Sequence, residues 1–343
     1  MSQNTYIHKG VFHLENGSSL SSLEIAYHTY GELNEEKSNV IWVCHALTAN
    51  SDVCDWWPGF FGEGHFYDPQ EHFIVCANNL GSCYGTTGPL NSGSYSSFPD
   101  ITIRDMVNAH DLLRRHLGIE KIHTLIGGSQ GGQQVLEWAI KEPSVFEHII
   151  VVATNAQHSP WGIAFNEAQR LAIKADPTYH SNKPDGGANG LKAARTIALL
   201  SYRNYNTYTG TQKEDDHSKT DNFKASSYQN YQGDKLVKRF NAYSYVTLTK
   251  AMDSHNVGRG KNSPADALGQ INANTLVIGV SSDLLFPVNE QKFLAKHIPR
   301  AVYTQIDSFY GHDGFLIEWE QLTEKIKSFY ASIKQTENLT ATL

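Results

Sequence analysis

The sequence predicts an α/β fold: a mostly parallel sheet flanked by helices, with one inserted helical cap. Three observations carry that prediction. Short apolar runs alternate with amphipathic helical stretches through the first part of the chain, which is the pattern of parallel strands joined by right-handed crossovers. Several of those runs are continuously apolar, as in strands buried on both faces. The alternation then stops over residues 159–267, where helical stretches and polar loops replace it, and it resumes at residue 274. The expected division is therefore a core of residues 1–158 and 268–343 around a cap of residues 159–267.

Taken in order, residues 23–30 (LEIAYHTY) alternate and read as a strand ended by Gly31. Residues 39–44 (NVIWVC) form a second strand that runs into His45-Ala46-Leu47-Thr48. Residues 56–62 (WWPGFFG) read as a packed aromatic loop in which nothing demands catalysis. Residues 73–77 (FIVCA) are a strand. Residues 82–100 are rich in Gly, Ser and Pro and read as a long loop, open to a functional role, a packed surface excursion or disorder. Residues 105–117 place Met106, His110, Leu113 and Leu117 on one helical stripe and stop at Gly118. A strand at 122–126 leads through a glycine-rich corner into a helix with Leu136, Ala139 and Ile140 on one face, and a strand follows at 146–153.

Within the cap, residues 162–175, 190–203 and 234–252 have helical character, and 204–227 is polar and nearly free of aliphatic side chains. Sheet character returns at 274–280 (NTLVIGV), followed by a helix at 288–297, a strand at 301–306 and an amphipathic helix at 315–333. Residues 335–343 are polar and are expected to fray.

Composition narrows the function. The chain has 343 residues and a formal net charge of -7, which argues against a nucleic-acid partner. No apolar stretch approaches the length of a membrane span, and residues 1–6 (MSQNTY) lack the pattern of a secretion signal. Four cysteines, Cys44, Cys54, Cys76 and Cys83, lack C-x-x-C spacing. Free thiols in a reducing cytoplasm fit them better than a zinc site. The 16 histidines are scattered without ligand spacing, so no metal is expected.

The chemistry concentrates at Gly127-Gly128-Ser129-Gln130-Gly131-Gly132. A G-x-S-x-G string can arise by chance. Between a strand and a helix, however, it is a nucleophile elbow, which projects a serine hydroxyl at the sheet edge toward a helix N-terminus that favours developing negative charge. A nucleophilic serine needs a base, and the base needs an orienting acid. On such a sheet the chain order is serine, acid, histidine. Asp283 follows the strand at 274–280, and His312 follows the strand at 301–306. Each alone is more often a structural residue; together they occupy the expected places for a triad with Ser129. The backbone N–H groups of Gln130 and Leu47 are the expected oxyanion donors.

A triad does not separate a hydrolase from a transferase, since both pass through an acyl-serine. A resemblance bears on that choice. The segments around Gly127–Gln134 and Glu137-Trp138-Ala139, together with His45-Ala46-Leu47-Thr48, Ala194-Arg195, residues 228–245 and Gly311-His312-Asp313-Gly314-Phe315-Leu316, resemble the homoserine O-acetyltransferase family over nearly the whole chain. The resemblance implies an α/β-hydrolase fold with a helical cap, and a homodimer formed through that cap. It implies transfer of acetyl from acetyl-CoA, as co-substrate rather than bound cofactor, to the hydroxyl of L-homoserine on the route to methionine. Ser129 would carry the acetyl group, His312 would shuttle protons and Asp283 would orient it. Arg195 would bind the substrate carboxylate and Asp313 its ammonium, with Tyr202 lining the same pocket. Arg203 and Lys192 are rival cations nearby. One departure is Gln130, where an apolar residue is commoner and whose side chain is expected to border the acyl pocket. Succinyl-CoA as donor, L-serine as acceptor, an esterase or a non-catalytic binding protein are the alternatives.

Overall fold

The computed structural model describes residues 3–341. An eight-stranded sheet organises it, in the order β1-β4-β6-β5-β7-β8-β9-β10. These strands are β1 (Asn4–His8), β4 (Leu23–Tyr30), β5 (Val40–Cys44), β6 (Phe73–Ala77), β7 (Ile122–Gly128), β8 (Phe146–Val152), β9 (Asn274–Val280) and β10 (Ala301–Ile306). The six strands from β6 to β10 along the sheet are parallel, while β1 and β4 are antiparallel to their neighbours. The short pair β2 (Phe12–His13) and β3 (Ser19–Leu20) makes a separate hairpin. The sequence pattern did not show β1, β2 or β3. In β1 the residues are exposed or half-buried, so its apolar periodicity is weak, and pairing with β4 holds it in place.

Every residue of β5 is buried, and nearly all of β7, β8 and β9, which accounts for their unbroken apolar character. Two apolar layers cover the sheet. In one, Trp42 meets Trp138 edge-on at 5.2 Å, and the Trp42 indole N–H donates to Nδ1 of the buried His110. Burial lowers the His110 pKa to about 3, so it is a neutral packing histidine. In the other layer Trp57, Phe60, Phe61, Tyr67 and Phe315 stack together. The aromatic loop at 56–62 is thus the packed excursion its composition suggests.

Between β8 and β9 the chain builds the helices Pro160–Lys174, Ala188–Tyr202, Tyr205–Thr211, Lys224–Val237, Ala242–Asp253 and Pro264–Leu268, and no strand of the sheet. Two expectations change here. The stretch 234–252 is not one helix: it breaks at Lys238–Asn241, where Asn241 accepts the Ser244 N–H at 2.8 Å and starts a new helix. The polar stretch after residue 204 contains a helix capped in the same way by Asn204. At the C-terminus the last helix runs Trp319–Ala341, past the point where fraying was expected. The long loop at 82–100 is packed: Thr86 and Thr87 bond to the backbone of β4. Among the described residues no helix is long and apolar enough to cross a membrane, and the four cysteines form no disulfide.

Candidate active site

The corner between β7 and the helix Gln130–Lys141 sets the geometry. Ser129 stands at φ 56° and ψ −125°, a backbone conformation that a side chain adopts only under constraint. The constraint is close packing. A Cβ on Gly131 would lie 2.0 Å from the Cys44 carbonyl oxygen, so only glycine lets the elbow helix approach β5 this closely. The Thr154 hydroxyl donates to the Ser129 carbonyl at 2.8 Å and ties the corner to the end of β8.

Two later loops complete the group. His312 Nε2 lies 2.9 Å from Ser129 Oγ, and its Nδ1 lies 2.6 Å from Asp283 Oδ2. The second carboxylate oxygen of Asp283 accepts the backbone N–H groups of Leu285 and Phe286, both at 2.8 Å. All three side chains are buried, with Ser129 the most accessible. Phe286 stacks on the His312 ring at 5.1 Å, and Phe315 packs against it at 5.2 Å. The imidazole is therefore held by aromatic walls as well as by its two hydrogen bonds. Gly311, at φ 64°, turns the chain into the histidine where the Tyr202 carbonyl leaves no room for a Cβ.

A cavity of about 480 Å³ opens above Ser129, within the range of small-molecule sites, about 300–1,000 Å³. Leu47, Arg195, Tyr202, His312 and Asp313 all line it. Leu47 reaches it from the loop after β5. Gln130 opens the elbow helix, so its N–H has no acceptor within that helix. The Gln130 side chain does not border the cavity. It is fully buried, accepts from Asn79 Nδ2 at 3.2 Å and donates to the Leu248 carbonyl at 3.1 Å. The expected effect on the acyl pocket is thereby replaced by a tie between the elbow, the loop after β6 and the insertion.

The rival cations separate by their partners. Lys192 pairs with Asp234 at 2.8 Å. Arg203 contacts Asp313 at 3.0 Å and lies over the Tyr310 ring. Arg195 has no carboxylate partner among the described residues; its guanidinium lies 5.4 Å from the Tyr202 ring centroid. Of these three cations it is the one left to meet an anion in the cavity. Asp313 is shared with Arg203, which the sequence did not reveal. The cavity also takes in Asp55 and Trp56, which carry no motif, and Lys235 and Arg239, which lie in the 228–245 stretch but to which the sequence assigns no role. Arg239 is anchored by the Thr48 carbonyl and the Tyr84 hydroxyl.

These features define an α/β hydrolase scaffold with a serine relay under a helical insertion, and the family model described as "alpha/beta hydrolase fold" matches residues 39–318. The nearer kinship is more particular. The homoserine O-acetyltransferase of Cyclobacterium marinum is 50% identical over 336 residues, 96% of this chain and 95% of its own length. A crystal structure of homoserine O-acetyltransferase from Bacillus anthracis superimposes with a TM-score of 0.88 at 26% identity, covering 96% of this chain and 97% of that one. An acetylester hydrolase from Corynebacterium glutamicum shares the architecture, with a TM-score of 0.84 at 25% identity and coverage of 96% and 95%. The chain belongs to the homoserine O-acetyltransferase family, a family of acyltransferases.

Proposed function

We propose that this protein moves an acetyl group from acetyl-CoA to the hydroxyl of L-homoserine through an acetyl-Ser129 intermediate, in the cytoplasm, on the route to methionine. The observation that carries the reading is the unpaired Arg195 guanidinium facing the same cavity as Ser129. An ester hydrolase has no use for a buried-side cation aimed at its acyl acceptor, whereas an amino acid brings a carboxylate that a guanidinium grips in bidentate fashion.

In the first half-reaction His312 Nε2 takes the Ser129 proton as Oγ attacks the thioester carbonyl. The tetrahedral oxyanion accepts the N–H groups of Leu47 and Gln130, and His312 returns the proton to the departing thiolate. In the second, the homoserine hydroxyl loses its proton to His312 and attacks the acetyl carbonyl, and Ser129 leaves with that proton. Asp283 keeps Nδ1 protonated throughout. Arg195 holds the acceptor carboxylate, Asp313 its ammonium, and Tyr202 supports Arg195 from the side. Lys235 and Arg239 at the cavity suit the phosphates of the donor. No bound cofactor is required. Large apolar side chains exposed on the insertion, Trp161, Leu171, Leu200, Tyr205 and Tyr231, support a homodimer formed through it.

The test is thiol release from acetyl-CoA with and without homoserine, with the product identified by mass. Homoserine-dependent release and O-acetylhomoserine are expected, and Ser129→Ala should lower the rate by roughly 10⁴-fold or more. Succinyl-CoA and L-serine arms would expose a different donor or acceptor. Turnover of simple esters without homoserine-dependent thiol release would overturn the reading in favour of a hydrolase.

A further inference from the structure

The strands that end beside the catalytic serine begin at a second group of polar side chains. His123 in β7 and Glu147 and His148 in β8 bring one ligand atom each to within 4.8 Å of the others. Glu147 Oε1 is 3.2 Å from His148 Nε2. In a tetrahedral zinc site, with bonds of about 2.0–2.1 Å, neighbouring ligand atoms stand about 3.3 Å apart. One edge of such a site is therefore already formed, and side-chain rotations on the order of 1 Å close the rest. Among the described residues no other group of three or more His, Cys, Asp or Glu side chains comes this close together.

His148 is only 4% exposed; its Nε2 is the nitrogen turned to Glu147, and its Nδ1 has no hydrogen-bond partner among the described residues. With no other protein group tied to its far nitrogen, the ring can present either nitrogen to an ion. The group also lines a cavity of about 340 Å³ that His72 shares. His72 Nδ1 donates to the Asp68 carbonyl at 3.2 Å, which leaves Nε2 of the neutral ring with a free lone pair. On the other side, His123 Nδ1 sits 2.9 Å from the Thr124 hydroxyl, itself 2.7 Å from the Tyr330 hydroxyl. That hydroxyl chain orients the His123 ring from behind, as outer partners do for metal-bound histidines.

We propose that His123, Glu147 and His148 bind one divalent cation of the zinc class, with His72 available as a fourth ligand from across the cavity. Two imidazoles and a carboxylate are a donor set that zinc and its first-row neighbours accept, and one that magnesium and calcium do not favour. The site lies at the foot of the sheet. β7 runs from Ile122 to Gly128, so the ion sits roughly 20 Å from Ser129 at about 3.3 Å per residue. It touches no substrate. Its role is structural: it pins the starts of β7 and β8 together beside the C-terminal helix. Lys334 also lines the cavity but is exposed and free to turn its ammonium to solvent.

The experiment uses the full chain, stripped with a chelator and dialysed against zinc, with bound metal counted by mass spectrometry. One retained equivalent is expected, together with a rise in unfolding temperature. With cobalt in place of zinc, the visible d–d absorption of a tetrahedral ion is expected. Glu147→Gln and His123→Asn, checked for native circular dichroism, should each lower the affinity at least about 10-fold and abolish the thermal shift. No retained equivalent, or equal retention by both variants, would overturn the proposal. So would an equivalent lost on His312→Asn instead, because the ion would then belong to the catalytic histidine.

Discussion

The two walls of the active-site cavity are built on opposite principles. On the sheet side, Ser129, His312 and Asp283 are buried and bonded to one another, and the remaining Asp283 oxygen is filled by two backbone N–H groups. On the insertion side, Arg195 is half-buried, has no acidic partner among the described residues, and shares the cavity lining with Lys235 and Arg239. The first wall is complete before any substrate arrives. The second is left electrostatically unfinished, and under the proposed function the carboxylate of the acceptor completes it. Preorganised groups at the reacting atoms and unsatisfied groups at the substrate's far end are what differential stabilisation of a transition state requires.

The largest expected effect comes from the finished wall. Asp283→Asn leaves the shape intact but lets the His312 ring take the wrong tautomer, and should cost on the order of 10³–10⁴-fold in kcat for both half-reactions. Acylation measured by the thiol burst and deacylation measured with homoserine should fall together. A loss confined to one half would break the picture of a shared relay.

Arg195→Ala should behave differently. Removing a charge-assisted contact is worth roughly 10- to 100-fold, expressed in the KM for the amino-acid acceptor, while the thiol burst with acetyl-CoA is spared. Arg195→Lys should recover only part of the loss, because an ammonium cannot make the forked contact. Equal damage to both half-reactions would erase the distinction between the walls.

The smallest effect sharpens the comparison behind the relay. Burial pushes the Glu290 carboxyl up to about 7, the neighbouring Asp283 adds to the rise, and a hydrogen bond from Asn155 opposes it. A raised folded pKa means that the folded state holds the proton more tightly than the unfolded chain. That contribution to stability is whole below about pH 4.5 and is lost as pH climbs through about 7. Glu290→Gln should therefore remove this dependence and leave the variant more stable than the parent at pH 8, by about 1–2 kcal/mol after allowance for partial solvent exposure. Denaturant midpoints at pH 5 and pH 8 measure it. A parent protein whose stability is flat between those values would contradict the assignment.

Much of the architecture was legible because local signals coincided. Seven of the sheet strands, the glycine-rich corner and the loops carrying Asp283 and His312 could be located from apolar runs and their punctuation. The insertion was visible as a change of pattern, but the break at Lys238–Asn241 was not, because the flanking residues keep their helical character across it. The side chain of Gln130 was misplaced for a different reason. Its direction depends on Asn79 and Leu248, distant partners in sequence that no local pattern ties to it.

The order of serine, acid and histidine, and the strands that deliver them, were determined by the sequence alone, since each lies next to its own strand end and needs no knowledge of the others. Which of three neighbouring cations remains free, and how Asp313 is shared, only the tertiary structure decided. The same is true of the meeting of His123 with Glu147 and His148. Strand propensity and turn chemistry act over a few residues and can be read along the chain. Charge pairing and ligand geometry depend on distances through space, which exist only once the chain has folded.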